Sequence, residues 1–295
     1  MDGMAAPVVG DTRQDLTGAS KALAGRRFFK MSGSGNDFVV FDARAEPADE
    51  LADPRWIRAI CARGTGVGAD GLVLLESTDG LDFGMRYFNS DGSRAALCGN
   101  AALCSTALAV RIGAARAGGL SFLTDSGQVD ARLRDGLPEI DLQPVTAVEL
   151  ETAATTEPGE ERIGYAKVGV PHLVVLCQDV SQVDVDQRGA DLRRHPSTLP
   201  DGANVNFVSR LEGGRWRIRT FERGVEGETL ACGTGAVATA ILLTAWNATA
   251  ADADIALETA SGRPLVVSLD RDGDRWLPAL RGEGRVVFEG MLGDL

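Results

Sequence analysis

LCGNA at residues 97–101 is matched later in the chain by ACGTGA at residues 231–236. Each stretch places a Cys-Gly pair just before an Ala-rich segment, roughly residues 99–112 and 233–249, that has the composition and length of a helix. We therefore predict that Cys98 and Cys232 each lie at the N-terminus of a helix. These two helices determine the architecture that we expect for the whole chain.

The similarity extends upstream of both cysteines. The strand-like sequence DFVV at residues 37–40 precedes the first cysteine by nearly as many residues as HLVV at 172–175 precedes the second. FNSDG at 88–92 leads into the first Cys-Gly pair, and FERG at 221–224 leads into the second. Coincidence among Gly- and Ala-rich segments is the alternative, but several elements match in the same order. The repeat predicts two similar α+β halves that face each other.

The boundaries of these halves follow from shifts in composition. Residues 1–27 show no sustained hydrophobic periodicity and are expected to be a disordered extension. The stretch near 146–160 is acidic, rich in Thr and contains a Pro-Gly pair, which favours a boundary there. We assign residues 28–145 to the first half, together with a C-terminal strand at 280–295, and residues 146–279 to the second half.

Composition excludes several classes of partner. A net charge of -12 and a pI of about 4.7 disfavour nucleic acid and anionic membranes. No stretch approaches the roughly 18 apolar residues of a membrane span, and the N-terminus has no apolar signal-peptide region. The odd number of five cysteines indicates reduced thiols rather than a disulfide framework. We expect a cytoplasmic protein with a small-molecule substrate, and a homodimer is possible.

Two equivalent cysteines suit the inversion of an amino-acid Cα, which needs a base on one face and an acid on the other. A helix N-terminus, helped by a neighbouring imidazole, can lower the pKa of a thiol from about 8.5 and provide a thiolate. Backbone N–H groups at the two Cys-Gly helix starts could hold the substrate carboxylate. Such chemistry requires a closed, dry site, so we expect a hinge between the halves.

Each of these residues also has a simpler interpretation. A buried cysteine is usually an apolar core residue, and Cys61, Cys104 and Cys177 lack the repeated context, so we interpret them as structural. A metal site is not expected, because the sequence contains two histidines and no Cys-x-x-Cys pair. His195 is expected to be an exposed loop residue. An adjacent Glu222 and Arg223 could equally form a surface ion pair.

Six motifs resemble those of the diaminopimelate epimerase family. In the first half they are MSGSGNDFVV at 31–40, GVGADG at 66–71, and NSDGS at 89–93 leading to Cys98-Gly99-Asn100. In the second half they are GVPH at 169–172, NVNFV at 204–208, and ERG at 222–224 leading to TLACGTG at 229–235. The motifs occur in the family's order from about residue 28 to the C-terminus.

This resemblance implies an α/β (α+β) fold of two pseudo-symmetric domains, each a β-sheet or barrel around a central helix, with the active site in the interdomain cleft. It implies conversion of LL-diaminopimelate to the meso form without a cofactor or metal. By resemblance, the catalytic residues are Cys98 and Cys232, with His172 accompanying the first cysteine and Glu222 the second. The implied substrate contacts are Asn36, Asn89, Gly99, Asn100, Asn204, Glu222, Arg223, Gly233 and Thr234.

Several positions depart from the family pattern. Val170 stands where an asparagine is common, and Gly71 stands where some members have a glutamine. The other departures are Ala101, Leu103, Arg94 and an extra Glu226. Two alternatives therefore stay open: a racemase or epimerase for another amino acid, such as proline, hydroxyproline or histidine, and a non-catalytic binding protein. Retention of both cysteines and His172 argues against the second alternative.

Overall fold

A computed structural model describes residues 23–250 and 253–295. Eight strands come first along the chain: β1 (Arg27–Gly33), β2 (Asn36–Asp42), β3 (Gly71–Glu76), β4 (Phe83–Asn89), β5 (Arg94–Ala95), β6 (Leu120–Thr124), β7 (Gly127–Arg134) and β8 (Leu137–Asp141). Ten more follow: β9 (Val148–Glu149), β10 (Glu160–Val168), β11 (Val170–Cys177), β12 (Asn204–Arg210), β13 (Trp216–Glu222), β14 (Gly227–Thr229), β15 (Ile255–Glu258), β16 (Pro264–Asp272), β17 (Arg275–Arg281) and β18 (Arg285–Met291). The α-helices are α1 (Pro54–Cys61), α2 (Gly99–Arg111), α3 (Val185–Arg193) and α4 (Gly233–Ala245).

Strand pairing repeats between the two halves. In the first half, β1–β2 is antiparallel, β2–β3 parallel, β3–β4 antiparallel and β4–β6 parallel. In the second half, β10–β11, β11–β12, β12–β13 and β13–β15 pair in the same senses. The α/β class and the internal repeat predicted from the sequence are therefore confirmed.

The chain crosses between the halves twice. Strands β8 and β17 pair with each other and join the halves. The strand after each of them lies in the other half. After β8, strand β9 pairs with β10 of the second half, and after β17, strand β18 pairs with β1 of the first half. The C-terminal strand thus lies beside the first strand of the first half, whereas the exact domain boundaries stay a prediction.

Each half wraps its sheet around one buried helix. Residues along α2 and α4 are buried on nearly all sides, as expected for helices with little amphipathic character. Both helices belong to one continuous apolar core that spans the halves. On the outer face, α1 and α3 each cover a smaller cluster. Among the described residues, no helix has the length and apolar content needed to cross a lipid bilayer.

The structure corrects the alignment of the repeat by one residue. Phe38 pairs with the first residue of β3, and His172 pairs with the first residue of β12, so Phe38 and not Asp37 is the counterpart of His172. Successive strand residues point to opposite faces, so the shift changes which side chains correspond. Phe38 and His172 are both buried, whereas Asp37 is part-exposed and forms ion pairs with Lys30 and Arg63. Phe38 and His172 differ in their chemistry, so the sequence alone did not show that they occupy equivalent positions in the two halves.

Candidate active site

Cys98 and Cys232 are the N-cap residues of α2 and α4, as predicted. The two helix starts almost touch: a Cβ atom on Gly233 would lie 3.6 Å from Cα of Gly99 and 2.9 Å from Cδ2 of Leu280. Glycine at both positions is what allows this approach. The fold therefore brings the two Cys-Gly pairs, far apart in sequence, to one place between the halves.

Both thiols are partly buried, and burial dominates their titration. Burial raises the pKa of Cys98 to about 11, although backbone N–H groups of Ala101 and Asn100 act to lower it. Burial, followed by the charge of Glu222, raises the pKa of Cys232 to about 12. The helix N-termini thus lower the thiol pKa values as expected, but loss of hydration outweighs them. Burial therefore disfavours the predicted thiolate of either cysteine in the free protein at neutral pH.

Equivalent strands of the two halves end in polar side chains. Asn89 ends β4, and Glu222 is at the corresponding position at the end of β13. Burial raises the pKa of Glu222, and its charge raises the pKa of both Cys98 and Cys232. Glu222 therefore lies close to both cysteines. Thr234 contacts the second one, with its Oγ1 3.6 Å from Sγ of Cys232.

Asn36 and Asn100 are joined at the start of α2. Nδ2 of Asn100 donates to Oδ1 of Asn36 over 2.7 Å, and Asn36 donates in turn to a carboxylate oxygen of Asp70 over 3.1 Å. Oδ1 of Asn100 is buried and has no hydrogen-bond partner among the described residues. A substrate ammonium group is a donor that would satisfy it.

The turn before Asn36 holds the two halves together. Ser34 has a φ of 53°, and its carbonyl accepts a 2.7 Å hydrogen bond from Oγ of Ser261 in the second half. A Cβ atom on Gly35 would lie 2.7 Å from Cβ of Ser261, so this position requires glycine. Gly35 thus allows the turn before Asn36 to pack against Ser261 of the second half.

Asn204 and Arg223 lie together on the second half. Oδ1 of Asn204 accepts from the backbone N–H of Arg223 over 2.8 Å. Nη1 of Arg223 donates to the Asp201 carbonyl over 3.0 Å, so the guanidinium is held by a loop rather than by Glu222. The surface ion pair weighed as an alternative for Glu222 and Arg223 is not the arrangement found.

His172 is fully buried and pairs with Asn204 across β11 and β12. Burial, with a smaller contribution from the positive charge of Arg223, lowers the pKa of His172 to about 3. The ring is therefore neutral at physiological pH. Among the residues that the structure describes, the ring has a hydrogen bond with Asn206 and none with a cysteine.

Sequence reasoning missed two residues of this site. Tyr87 lies two positions before Asn89 on the same face of β4, and its hydroxyl donates to Oδ1 of Asn89 over 3.0 Å. A Cβ atom on Gly71 would lie 2.6 Å from Cε2 of Tyr87, which explains glycine where some relatives have glutamine. Asn206 is the second, and period-two alternation from Asn204 was the signal that could have identified it.

Among the other departures, Arg94, Leu103 and Glu226 lie outside the site, whereas the backbone N–H of Ala101 contacts the thiol of Cys98. Arg94 forms an ion pair with Asp125, and Glu226 forms one with Arg193. Ala101 and Leu103 are fully buried core residues.

Cys61, Cys104 and Cys177 are buried, as predicted. His195, expected to be exposed, is half-buried, because its ring caps a short turn by accepting from the Ser197 backbone N–H. Among the described residues, no group of three or more His, Cys, Asp or Glu side chains could hold a metal ion.

Comparison with solved structures defines the class. The chain aligns with a PhzF-family phenazine biosynthesis protein from Bacillus anthracis at a TM-score of 0.70 and 15% identity, covering 90% of this chain and 98% of the other. It aligns with a hydroxyproline epimerase from Agrobacterium vitis at a TM-score of 0.64 and 19% identity, covering 92% and 93%. The protein therefore has the two-domain α/β fold of these proteins.

Sequence comparison defines the family. The diaminopimelate epimerase family model matches residues 28–147 and 164–287. A diaminopimelate epimerase from Gemmatimonas aurantiaca is 51% identical over 278 residues, covering 91% of this chain and 99% of the relative. Another from Aquifex aeolicus is 38% identical over 276 residues, covering 90% and 98%. The chain belongs to the diaminopimelate epimerase family.

Proposed function

We propose that this protein is a diaminopimelate epimerase, which converts LL-2,6-diaminopimelate to the meso form in lysine and peptidoglycan biosynthesis. The observation that carries the proposal is the meeting of two Cys-Gly helix N-termini, one from each half, with Cys98 and Cys232 as their N-caps. Family membership supports the choice of substrate. The reaction uses no cofactor.

The chemistry is a proton transfer on each face of Cα. One cysteine thiolate takes the Cα proton, and the other cysteine thiol gives its proton to the opposite face, so one S–H is formed as another is broken. Because burial raises the pKa of both thiols, one of them must release its proton to solvent before it can act as the base. Backbone N–H groups of Asn100 and Ala101 stabilise the thiolate of Cys98, and that of Gly235 stabilises Cys232.

The substrate has two carboxylates and two ammonium groups. Backbone N–H groups at the starts of α2 and α4 hold the carboxylate on the reacting carbon, where charge develops in the transition state. Arg223 is suited to a carboxylate, and Glu222 to an ammonium group. Asn36, Asn89 and Asn204 complete the set of polar contacts.

A substrate panel tests the proposed specificity. Purified, reduced protein is incubated with LL-diaminopimelate and, separately, with proline, trans-4-hydroxyproline and histidine, and the stereoisomers are separated chromatographically. We expect meso-diaminopimelate and no inversion of the other amino acids. Inversion of another amino acid, with diaminopimelate untouched, would replace this function by that of a racemase whose specificity changed at Val170 and Gly71. No inversion of any substrate, together with ligand binding, would indicate a binding protein.

The cytoplasmic location and the homodimer belong to the proposal as predictions from the sequence. An acidic protein with free thiols suits a reducing compartment. Light scattering of the purified protein measures the assembly directly, and a monomer at assay concentration would remove the homodimer from the proposal.

A further inference from the structure

Asn206 forms three hydrogen-bond contacts in the core of the second half. It is fully buried on β12. Its Nδ2 lies 2.9 Å from the carbonyl oxygen of Leu173 and 3.2 Å from Nδ1 of His172. Its Oδ1 lies 3.0 Å from Oγ1 of Thr220. Every polar atom of this amide is therefore used within the protein.

These contacts determine which atoms carry hydrogens. The Leu173 carbonyl can only accept, so the amide atom beside it must be the NH₂ group. The second hydrogen of that group points to Nδ1 of His172, which must then accept it with a lone pair. A neutral imidazole with a bare Nδ1 carries its hydrogen on Nε2. Nε2 is buried and has no hydrogen-bond partner among the described residues.

The first half has no counterpart of the Asn206–His172 hydrogen bond. The fold therefore does not require this pair, which indicates that it has a specific role in the second half. Strand pairing places Phe38 at the position of His172 and Val73 at the position of Asn206. Ala101 at the third position of α2 corresponds to Gly235 in α4. A Cβ atom on Gly235 would lie 2.2 Å from Oδ1 of Asn206, so the glycine provides the space that the amide occupies.

We propose that Asn206 is a positioning residue that keeps His172 in the tautomer with hydrogen on Nε2, so that His172 acts as a neutral hydrogen-bond donor rather than a proton acceptor. This inference rests on the proposed function for the identity of the acceptor, an anionic oxygen of the substrate carboxylate. It differs from the role implied by the family resemblance, in which the histidine assists a cysteine. The low pKa of His172 agrees with a ring that stays neutral throughout.

Nitrogen NMR of histidine-labelled protein reads the tautomer without substrate. The chain has two histidines, so a His195→Gln variant leaves the two ring nitrogens of His172 as the remaining signals. We expect a protonated, pyrrole-type shift for Nε2 and a bare, pyridine-type shift for Nδ1 between pH 6 and 8. Hydrogen on Nδ1 in this spectrum would overturn the proposal. Because the test involves no turnover, failure of the epimerase assay would leave it standing.

Two substitutions test the cause. In Asn206→Asp, the carboxylate can only accept, so we expect the hydrogen of His172 to move to Nδ1 and the pKa of the ring to rise. Asn206→Leu removes the donor and should give a mixture of tautomers. Thr220→Val is the matched control, because it removes a buried hydrogen bond of Asn206 and leaves the His172 contact in place. An unchanged tautomer in Asn206→Asp would contradict the role of Asn206.

Kinetics then separates positioning from general stability. Loss of a buried hydrogen bond to a charged group corresponds to about a ten- to hundredfold fall in kcat/KM, which we expect for Asn206→Asp, where the hydrogen leaves Nε2. The mixed tautomers of Asn206→Leu should give a smaller fall. If Thr220→Val kept the hydrogen of His172 on Nε2 but lost as much activity as the Asn206 variants, the effect would be structural and the proposed donor role would be wrong.

Discussion

At the residue scale, Tyr87 links the side chain of Asn89 to the thiol of Cys98. Its hydroxyl donates to Asn89, and its ring occupies the space that glycine at position 71 leaves open. Burial and then the charge of Cys98 raise the pKa of Tyr87, whereas Tyr87 acts to lower the pKa of Cys98. Tyr87 therefore supports the thiolate form of the first cysteine and orients Asn89.

We predict that Tyr87→Phe weakens both roles. Tyr87 has one O–H hydrogen, which bonds Asn89 in the free protein and can turn to Cys98 when that thiol ionises. Loss of the hydroxyl removes that donor, so kcat/KM should fall about tenfold, the effect of one hydrogen bond to a charged group. Steady-state kinetics measures this fall, and titration of Cys98 by alkylation should show a higher pKa. A variant with unchanged kinetics would show that the hydroxyl is only a packing group.

We predict that the buried, neutral ring of His172 makes the stability of the fold sensitive to acid. Its pKa is 6.5 when unperturbed and about 3 in the fold, so the folded state binds the proton less tightly. The stabilisation from this group is complete above pH 6.5 and is lost as pH falls towards 3. Between pH 7 and pH 5 the loss is about 2 kcal/mol in the free energy of unfolding.

Urea denaturation at pH 7 and pH 5 measures this loss. His172→Phe, which copies the first-half residue Phe38, should lose about 2 kcal/mol less than wild type over this range, while other groups contribute equally to both. His195→Gln is the control and should behave as wild type. Equal losses in wild type and His172→Phe would show that the ring is not buried as a neutral group.

At the element scale, two opposing effects act on each cysteine. Helix N-termini were identifiable from Cys-Gly followed by an Ala-rich segment, so their lowering of the thiol pKa was predictable. Desolvation was not, because it depends on how closely the facing half approaches, and that approach is set by contacts such as Gly99 with Gly233. The net rise in pKa is thus a property of the assembled halves.

We predict slow alkylation of both active cysteines at neutral pH. With pKa values of about 11 for Cys98 and about 12 for Cys232, the iodoacetamide rate should rise about tenfold per pH unit from pH 7 to 10. Cys98 should react about tenfold faster than Cys232. Mass spectrometry of the labelled peptides follows each site separately.

The buried cysteines supply the control for this measurement. Cys61, Cys104 and Cys177 should react after unfolding and not before, which distinguishes titration from exposure. A rate for Cys98 that levels off by pH 8 would mean a thiolate already formed in the free protein, contrary to the dominance of burial.

At the scale of the whole molecule, the repeat was visible in the sequence because motifs near Cys98 and Cys232 recur in one order. The partners of β9 and β18, which are β10 and β1, could not be derived from local pattern, because strand pairing depends on contacts between segments distant in sequence, such as β8 with β17. The one-residue error in aligning His172 has a similar origin. Apolar runs define a strand, whereas the register between strands is set by tertiary pairing.

The residues of the site also differ in whether the sequence alone could predict them. Residues next to the Cys-Gly pairs and at strand ends were predictable from motifs, whereas Tyr87 and Asn206 required knowledge of which side chains share a face. Their importance comes from contacts between separate strands and helices, such as that of Asn206 with Gly235. Sequence spacing alone carries no information on such contacts.

In the proposed reaction, two thiols, one from each half, invert a single carbon. The most direct measurement is conversion of LL-diaminopimelate in D₂O by wild type, Cys98→Ser and Cys232→Ser, with deuterium at Cα of the meso product located by mass spectrometry and NMR. We expect solvent deuterium at the inverted carbon for wild type and a loss of about 10² to 10⁴ in rate for each variant. Product that retains the substrate hydrogen, or either variant turning over at the wild-type rate, would contradict the two-thiol reaction.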